Sequence, residues 1–194
     1  MLYELIRTIV RIAMFFVFRI KKVGCENIPK EGGVILAFNH KSNWDPVMAG
    51  ITCKRHIRFM AKEELFKNPV FGGLIKCLGA FPVHRGSGDV GAIKSSLKIL
   101  KDGNVMLMFP EGHRIKNNKK VKAKPGVALI AQRAQIPVVP VGISGRYAWM
   151  HKITVTYGKP ISFEEYYGQK LDSEKIQSLA DDVLDNIREL VFDN

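Results

Sequence analysis

The sequence of 194 residues has few cysteines and no arrangement of them that suits a metal. The three cysteines, Cys25, Cys53 and Cys77, are scattered and odd in number, and they form neither a CxxC pair nor a zinc-ligand spacing. We therefore expect reduced thiols in a cytosolic or cytosol-facing protein, and no metal site.

A long uninterrupted apolar run is also missing. A helix that spans a bilayer needs about 20 apolar residues, but Arg7, Arg11 and Arg19 interrupt the apolar N-terminal stretch. A signal peptide is not expected either, since Glu4 lies in the leading region and no small-residue cleavage site follows. Apolar residues recur at helical spacing between residues 2 and 20. Two structures fit this pattern, an amphipathic helix packed on the core or a helix lying in the bilayer interface.

Acidic residues are scarce relative to basic ones, with 18 Asp and Glu against 30 Lys and Arg and a formal charge of +12. This surplus favours a polyanionic partner, such as nucleic acid, an anionic bilayer, a phosphorylated substrate or an acidic carrier protein. We expect no nucleic acid, because no binding motif for it is visible and the lysines are not interleaved with stacking aromatics. Five lysines between Ile115 and Lys124 predict a mobile basic loop.

Short apolar runs alternate with helical patterns along the rest of the chain. Strands are predicted at Val34–Phe38, Ala80–Val83, Val105–Phe109 and Val138–Ile143, the second of them short and the others buried. A further strand is predicted at His56–Ala61. The alternating segment Ile153–Tyr157 is expected to be an edge strand. Helices are predicted over residues 45 onward, 68–78, 88–101, 126–134 and 173–191. This order predicts a single α/β domain with a largely parallel or mixed central sheet flanked by helices.

Polar residues follow three of these strands, at the end where open α/β sheets place their sites. His40 follows the first strand, Arg85 the second, and Glu111 and Arg114 the third. These residues are therefore the candidates for a functional site.

His40 and Asp45 can form a general base and its orienting carboxylate. A neutral imidazole accepts a proton from a hydroxyl at neutral pH, and a carboxylate on the other ring nitrogen stabilises the imidazolium. The loop Lys41–Trp44 can bring the two together. The alternative is structural: Asp45 caps a helix that begins at Pro46, and His40 bonds the turn.

The turn from Glu111 to Arg114 can bind an anion. Gly112 lets a ligand approach the backbone, and Arg114 can hold a phosphate by two parallel hydrogen bonds. Glu111 can bond a substrate hydroxyl or fix an arginine. The alternative is a turn with an ordinary ion pair. Arg85, beside Gly86, has a similar position and gives a weaker phosphate signal.

Four blocks in this order resemble the glycerolipid acyltransferase family, and within it the 1-acylglycerol-3-phosphate acyltransferases. The blocks are Asn39-His40-x4-Asp45, Gly79 with Phe81-Pro82-Val83-His84-Arg85, Phe109-Pro110-Glu111-Gly112-His113-Arg114, and Val139-Pro140-Val141. The resemblance covers roughly residues 22–160. The chain departs from the family at His113 and Ile115, where Thr and Ser are usual, and at His84, where an acidic residue or Asn is frequent. These departures bear on the substrate more than on the reaction.

The resemblance implies that His40 is the general base and Asp45 its partner. The residues that it implies for binding the phosphate end of the acceptor are Arg85, Glu111, Gly112 and Arg114. The reaction that it implies is transfer of a fatty acyl group from acyl-CoA or acyl carrier protein to the free hydroxyl of 1-acylglycerol-3-phosphate (lysophosphatidic acid), giving phosphatidic acid. No covalent enzyme intermediate, metal or bound cofactor is required.

For the N-terminal stretch the helix in the bilayer interface is favoured, because arginines flank a bulky apolar face. We therefore expect residues 1–22 to form a membrane-associating amphipathic helix and residues 23–194 to form the acyltransferase domain. A peripheral or monotopic protein on the phospholipid surface of the cytoplasmic face of the cell membrane is expected. Alternatives are an acyltransferase for another lysophospholipid or for glycerol-3-phosphate, and a non-catalytic protein that binds anionic lipid. A serine hydrolase is not favoured, because residues 142–145 do not form a nucleophile elbow. A metal hydrolase using His40, Asp45, Glu111 and His113 is not favoured, because no compact metal-ligand motif appears.

Overall fold

The computed structural model describes residues 2–83, 90–115 and 121–191. The α-helices in these ranges are α1 (Leu2–Val17), α2 (Asp45–Thr52), α3 (Pro69–Cys77), α4 (Val90–Lys101), α5 (Gly126–Ala134) and α6 (Ser173–Glu189). The strands are β1 (Arg19–Val23), β2 (Val34–Phe38), β3 (Ile57–Lys62), β4 (Ala80–Val83), β5 (Val105–Met108), β6 (Val138–Ser144) and β7 (Lys152–Tyr157). Short 3-10 helices lie at Cys25–Asn27, Glu63–Phe66 and Glu164–Tyr166.

The strands of the described ranges form one mixed sheet in the order β1-β7-β6-β2-β5-β3-β4. Neighbouring strands are parallel except for the antiparallel pair β6 and β7. The predicted α/β fold with a largely parallel or mixed sheet is therefore confirmed. Parallel pairing requires crossover connections, and the helices that form them cover the sheet.

The central strand β2 shows how the two layers are built. Successive side chains of a strand point to opposite faces. Ile35 and Ala37 pack into the core formed with α4, α5 and α6. Val34, Leu36 and Phe38 pack into the core on the other face, beneath α2 and the end of α1. Because both faces are covered, the whole strand is buried, and its end is held rigidly for the residues that follow.

The predicted edge position of β7 is wrong, because β1 pairs with it in parallel, with Arg19 opposite Lys152 and Val23 opposite Thr156. β1 is short, basic and mostly exposed, as befits an edge strand that has only one neighbour. Its charges look in sequence like the polar end of the preceding helix, which instead ends at Val17. The predicted boundary between the N-terminal helix and the acyltransferase domain, between residues 22 and 23, falls inside β1.

The inner face of α1 packs on the domain. Val10, Met14 and Val17 lie against the core beneath α2. None of the described helices is long and apolar enough to cross a membrane. The outer face of α1 is apolar as well, and more than half of each of these side chains is exposed: Leu2, Leu5, Ile9, Ile12, Phe15 and Phe16. The helix thus packs on the core, as one of the two predicted structures requires. It also presents the exposed apolar face that the other, a helix in the bilayer interface, requires.

Two arginines attach α1 to the carboxyl end of α2. Arg7 Nη1 donates to the carbonyls of Cys53 and Lys54 at 3.2 and 2.9 Å. Arg11 Nε donates to the carbonyl of Ile51 at 3.1 Å. The last carbonyls of a helix lack partners within it and carry partial negative charge, so cations are favourable there. These arginines therefore turn inward and leave the outer face of α1 apolar.

Candidate active site

The candidate site begins where β2 ends. Asn39 follows the strand, and its side-chain amide pairs with the backbone of Ile143 on β6. The Asn39 Nδ2 donates to the Ile143 carbonyl at 3.1 Å, and the Ile143 N–H donates to the Asn39 Oδ1 at 2.7 Å. The side chain thereby extends the β2–β6 ladder past Phe38 and fixes the backbone that enters His40.

His40 and Asp45 meet as the base and carboxylate arrangement predicts. His40 Nδ1 lies 2.9 Å from Asp45 Oδ2. The same oxygen accepts the backbone N–H groups of Lys41 and Ser42, each at 2.7 Å, and Oδ1 accepts the Tyr147 hydroxyl at 2.7 Å. Asp45 is fully buried. A buried charge requires such compensation, and hydrogen bonds to a charged group are among the stronger ones in proteins.

The interpretation of Asp45 as a helix cap is wrong. Trp44 occupies the N-cap of α2, and Asp45 is already helical, with Pro46 beside it in the first turn. The carboxylate turns back toward the loop and accepts the N–H groups of Lys41 and Ser42, which precede the helix. The loop therefore folds around the carboxylate, and this brings it to the imidazole.

The imidazole of His40 is held in one tautomer. An ionised carboxylate only accepts hydrogen bonds, so Nδ1 carries the proton toward Asp45 and Nε2 of the neutral ring has a free lone pair. The ring stacks on Phe109, with centroids 3.9 Å apart and planes 17° apart. The side chain is 17% exposed. A fixed ring with an available nitrogen is what a general base needs.

Glu111 holds the backbone of His40 by a hydrogen bond. Its Oε2 accepts the His40 backbone N–H at 2.6 Å, and only 8% of the residue is exposed. Burial, with a smaller contribution from the Asp45 charge, raises the pKa of Glu111 to about 7, against the lowering effect of the His40 N–H bond. The Ile115 N–H donates to the His40 carbonyl at 2.8 Å. Both backbone polar groups of His40 are thus tied to the Glu111–Ile115 segment.

Arg114 and Gly112 lie on the outer side of the same turn. Arg114 is exposed, and its Nη1 donates to Asn43 Oδ1 at 2.9 Å. Gly112 has a left-handed φ of 74°, and a Cβ there would lie 2.8 Å from Lys124 Cγ. Glycine therefore allows both the turn and the approach of a basic side chain. Among the described residues, the Glu111 carboxylate bonds the His40 backbone N–H, and Arg114 bonds Asn43.

Two of the sequence predictions cannot be placed. Arg85, with His84, lies outside the described residues, and so do residues 116–120 of the predicted basic loop. The structure brings together His40, Asp45 and Glu111 through direct hydrogen bonds, and it joins Arg114 to the His40–Asp45 loop through Asn43.

Tyr147, which donates to Asp45, is a site residue that was not predicted from the sequence. It comes three residues after the end of β6, so the strand-end rule that selected His40 and Glu111 applies to it as well. The roles of Asn39 and Phe109 were not predicted either, although both residues lie within the motifs.

The chain matches the family described as Acyltransferase over residues 19–144. It belongs to the acyltransferase family. The matched range contains His40, Asp45, Glu111 and Arg114, whereas Tyr147 lies just beyond it.

Several members of the family are similar along most of this chain. The 1-acyl-sn-glycerol-3-phosphate acyltransferase of Streptococcus pneumoniae (strain ATCC BAA-255 / R6) is 34% identical over 163 residues, which cover 80% of this chain and 60% of that protein. The enzyme of the same name from Bacillus subtilis (strain 168) is 29% identical, over 88% of this chain and 87% of that protein. The chain thus spans less than two thirds of the streptococcal relative and most of the Bacillus one.

The fold of this acyltransferase is also found in a solved structure. The crystal structure of the 1-acyl-sn-glycerophosphate (LPA) acyltransferase from Thermotoga maritima superposes with a TM-score of 0.76 at 25% identity. The alignment covers 97% of this chain and 79% of that one. The similarity therefore includes the helices and strands on both sides of the site.

Proposed function

We propose that this acyltransferase transfers a fatty acyl group from acyl-CoA or acyl carrier protein to the free hydroxyl of 1-acylglycerol-3-phosphate, giving phosphatidic acid. The observation that carries the proposal is the contact of 2.9 Å between His40 Nδ1 and the fully buried carboxylate of Asp45. The names of the relatives from Streptococcus and Bacillus support the choice of acceptor.

The reaction follows from the tautomer of His40. Its Nε2 takes the proton of the acceptor hydroxyl while the hydroxyl oxygen attacks the thioester carbonyl carbon. Asp45 stabilises the imidazolium that forms, through the Nδ1–Oδ2 contact. When the tetrahedral intermediate collapses, the C–S bond breaks, and the imidazolium returns the proton to the departing sulfur. The products are the ester and the free thiol, and the enzyme is unchanged.

The phosphate of the acceptor is assigned to the basic outer side of the Glu111–Ile115 turn. Arg114 is exposed and steadied by Asn43, so its remaining N–H groups are free to meet an anion. Lys124 packs beside Gly112 and adds a second positive charge. Arg85 is proposed to join them. Glu111 contributes by holding the backbone of His40 in place.

An apolar groove beside the catalytic helix suits the acyl chain. Its volume is about 150 Å³, and it lies between α1, α2 and β3. Pro46, Val47 and Gly50 line it, and they belong to the helix that begins with Asp45. Binding sites for apolar ligands are concave and mainly apolar, with polar groups at one end. The groove therefore provides a place for the tail next to the reacting groups.

The outer face of α1 is proposed to contact a phospholipid bilayer, on its cytoplasmic side, with the protein bound peripherally. Phe15 and Phe16 are 71% and 67% exposed near the end of α1. The Met150 N–H donates to the Val17 carbonyl at 2.8 Å, so Trp149, which is 74% exposed, lies close to the same end. Large exposed apolar surfaces mark interaction sites, and Trp is favoured at membrane interfaces. The net charge of +12 suits anionic head groups.

The decisive experiment is a product assay with lysophosphatidic acid and either acyl-CoA or acylated carrier protein. His40→Ala is expected to abolish phosphatidic acid formation. His151→Ala, at an exposed histidine bonded to the Trp149 carbonyl, is the matched control and is expected to retain activity. Appreciable activity in His40→Ala would remove the base assignment. Product with glycerol-3-phosphate or another lysophospholipid in place of lysophosphatidic acid would transfer the proposal to that acceptor. If no acceptor gave a product, the alternative of a non-catalytic lipid-binding protein would be favoured.

A further inference from the structure

Tyr147 makes a hydrogen bond that the proposed mechanism does not yet use. Its hydroxyl donates to Asp45 Oδ1 at 2.7 Å, whereas His40 and two backbone N–H groups bond Oδ2. One carboxylate oxygen therefore bonds Tyr147, which follows β6, and the other bonds the loop that contains His40. Burial, together with the Asp45 charge, raises the pKa of the Tyr147 hydroxyl. The hydroxyl thus keeps its proton and remains a donor at any pH at which the enzyme works.

The ring of Tyr147 is itself fixed from two other segments. Phe18, which is 3% exposed, packs edge to face against it, with centroids 5.6 Å apart and planes 72° apart. Lys41 Nζ lies 5.4 Å from the ring centroid and donates to the Gly145 carbonyl at 2.5 Å. Together these contacts limit the rotation of the ring, so the hydroxyl is held in one place.

We propose that Tyr147 is a positioning residue for the reaction, a role that rests on the proposed function. A turn of the Asp45 carboxylate about its Cβ–Cγ bond would move both oxygens. The bond to Oδ1 opposes that turn from the side opposite to the loop and adds to the bonds on Oδ2, so Oδ2 stays directed at His40 Nδ1. The imidazolium of the transition state then meets a carboxylate that needs no rearrangement. Tyr147 acts through Asp45 and does not touch the reacting atoms.

The test compares two tyrosine-to-phenylalanine substitutions that each remove one buried hydroxyl. Tyr147→Phe removes the bond to Asp45, at the start of α2, and Tyr157→Phe removes a bond of 2.7 Å to Thr52 Oγ1, at the end of the same helix. Because a bond to a charged group is lost, Tyr147→Phe is expected to lower kcat about tenfold to a hundredfold, with the acceptor KM within about twofold. Tyr157→Phe is expected to keep kcat within about twofold of the parent enzyme.

A double substitution separates positioning from a general effect on the fold. In the Asp45→Asn background, in which the Asp45 carboxylate charge is lost but slow catalysis by His40 remains measurable, Tyr147→Phe is expected to lower kcat by less than about twofold, because the carboxylate that it positions is gone. The proposal would be overturned by a parent-like kcat in Tyr147→Phe or by an equal fall in kcat in Tyr157→Phe. It would also be overturned if Tyr147→Phe lowered kcat in the Asp45→Asn background by the same factor as in the parent enzyme.

A second variant covers the case in which Tyr147→Phe does not fold, which circular dichroism would reveal. An enzyme with p-aminophenylalanine at position 147 keeps an N–H donor at the same ring position and is expected to retain at least about a tenth of the parent kcat. A lower kcat in the folded variant would overturn the proposal. The proposed function fails differently, since His40→Ala would then remain active or the parent enzyme would form no product.

Discussion

The buried carboxyl of Glu111 predicts how the stability of the fold changes with pH. Its pKa is about 7 in the folded protein and 4.5 for an ordinary glutamate. Between these values the folded state binds more protons than the unfolded state, so the free energy of unfolding falls as pH rises through this window. Below the window both states are protonated, and above it both are ionised. The loss is therefore complete above about pH 7.

The size of the effect follows from the difference between the two pKa values. One pKa unit corresponds to about 1.4 kcal/mol, so the shift of Glu111 amounts to about 2–3 kcal/mol once partial access to solvent is allowed for. Glu111→Gln tests this directly, because glutamine keeps an oxygen to accept the His40 N–H and never ionises. The variant is expected to be about as stable as the parent near pH 4, below the window, and about 2–3 kcal/mol more stable near pH 8.

Urea unfolding followed by circular dichroism measures these free energies at both pH values. Glu31→Gln, at an exposed glutamate, is the matched control and should follow the parent protein at both. If the parent and Glu111→Gln changed in parallel between the two pH values, Glu111 would not be a carboxyl with a raised pKa. A variant less stable than the parent near pH 8 would refute the reasoning more strongly.

Three further predictions concern binding. Arg114→Ala is expected to raise the acceptor KM about tenfold with little change in the donor KM, as steady-state kinetics with varied acceptor and donor would measure. Replacing Phe15 and Trp149 together by serine is expected to weaken sedimentation with anionic vesicles at least about tenfold, because two exposed apolar side chains are lost. Gly50→Phe is expected to shift the product toward shorter acyl chains, measured by mass spectrometry. A Cβ at Gly50 meets open space, so the new side chain can fill the groove.

Each of these binding predictions has a matched control. Arg146→Ala removes an exposed arginine outside the Glu111–Ile115 turn and should leave the acceptor KM unchanged. Val70→Ser changes a residue on α3 that is 83% exposed and should leave vesicle binding unchanged. Gly73→Phe adds the same ring to α3, again into open space, and should leave the product unchanged. If only the donor KM changed in Arg114→Ala, the phosphate assignment would be contradicted. Vesicle binding equal to that of the parent in the Phe15 and Trp149 double variant would contradict the membrane contact. Unchanged acyl-chain lengths in Gly50→Phe would contradict the assignment of the groove.

The strands that carry the site were predictable because they are buried on both faces. β2 and β5 are continuous apolar runs, and the polar residues after them could be expected at one edge of the sheet. The contact between His40 and Asp45 was also predictable, since the five-residue separation is local and a loop can close it. The role of α1 was not predictable, because both of its faces are apolar. The periodicity does not indicate which face packs against the core.

Other parts of the site depend on contacts that a sequence pattern does not encode. Tyr147 and Asp45 are 102 residues apart, and Asn39 and Ile143 are 104 apart, so only the assembled sheet brings them together. β1 was missed because backbone hydrogen bonds to β7 hold it, and its mostly exposed side chains give no apolar signal. The direction of the Glu111 carboxylate, toward the backbone of His40, likewise depends on the folded turn.

The pairing of β1 with β7 imposes an order on the assembly of the protein during its synthesis. About 130 residues separate the two strands, and at about 5–20 residues per second their translation takes roughly 7–26 seconds. Until then β1 lacks its partner strand, and Phe18 lacks its contact with the ring of Tyr147. The first helix therefore emerges with both of its apolar faces uncovered, before the tyrosine that bonds Asp45 has been made. On the proposed membrane contact, the nascent chain would meet the bilayer before its site is complete.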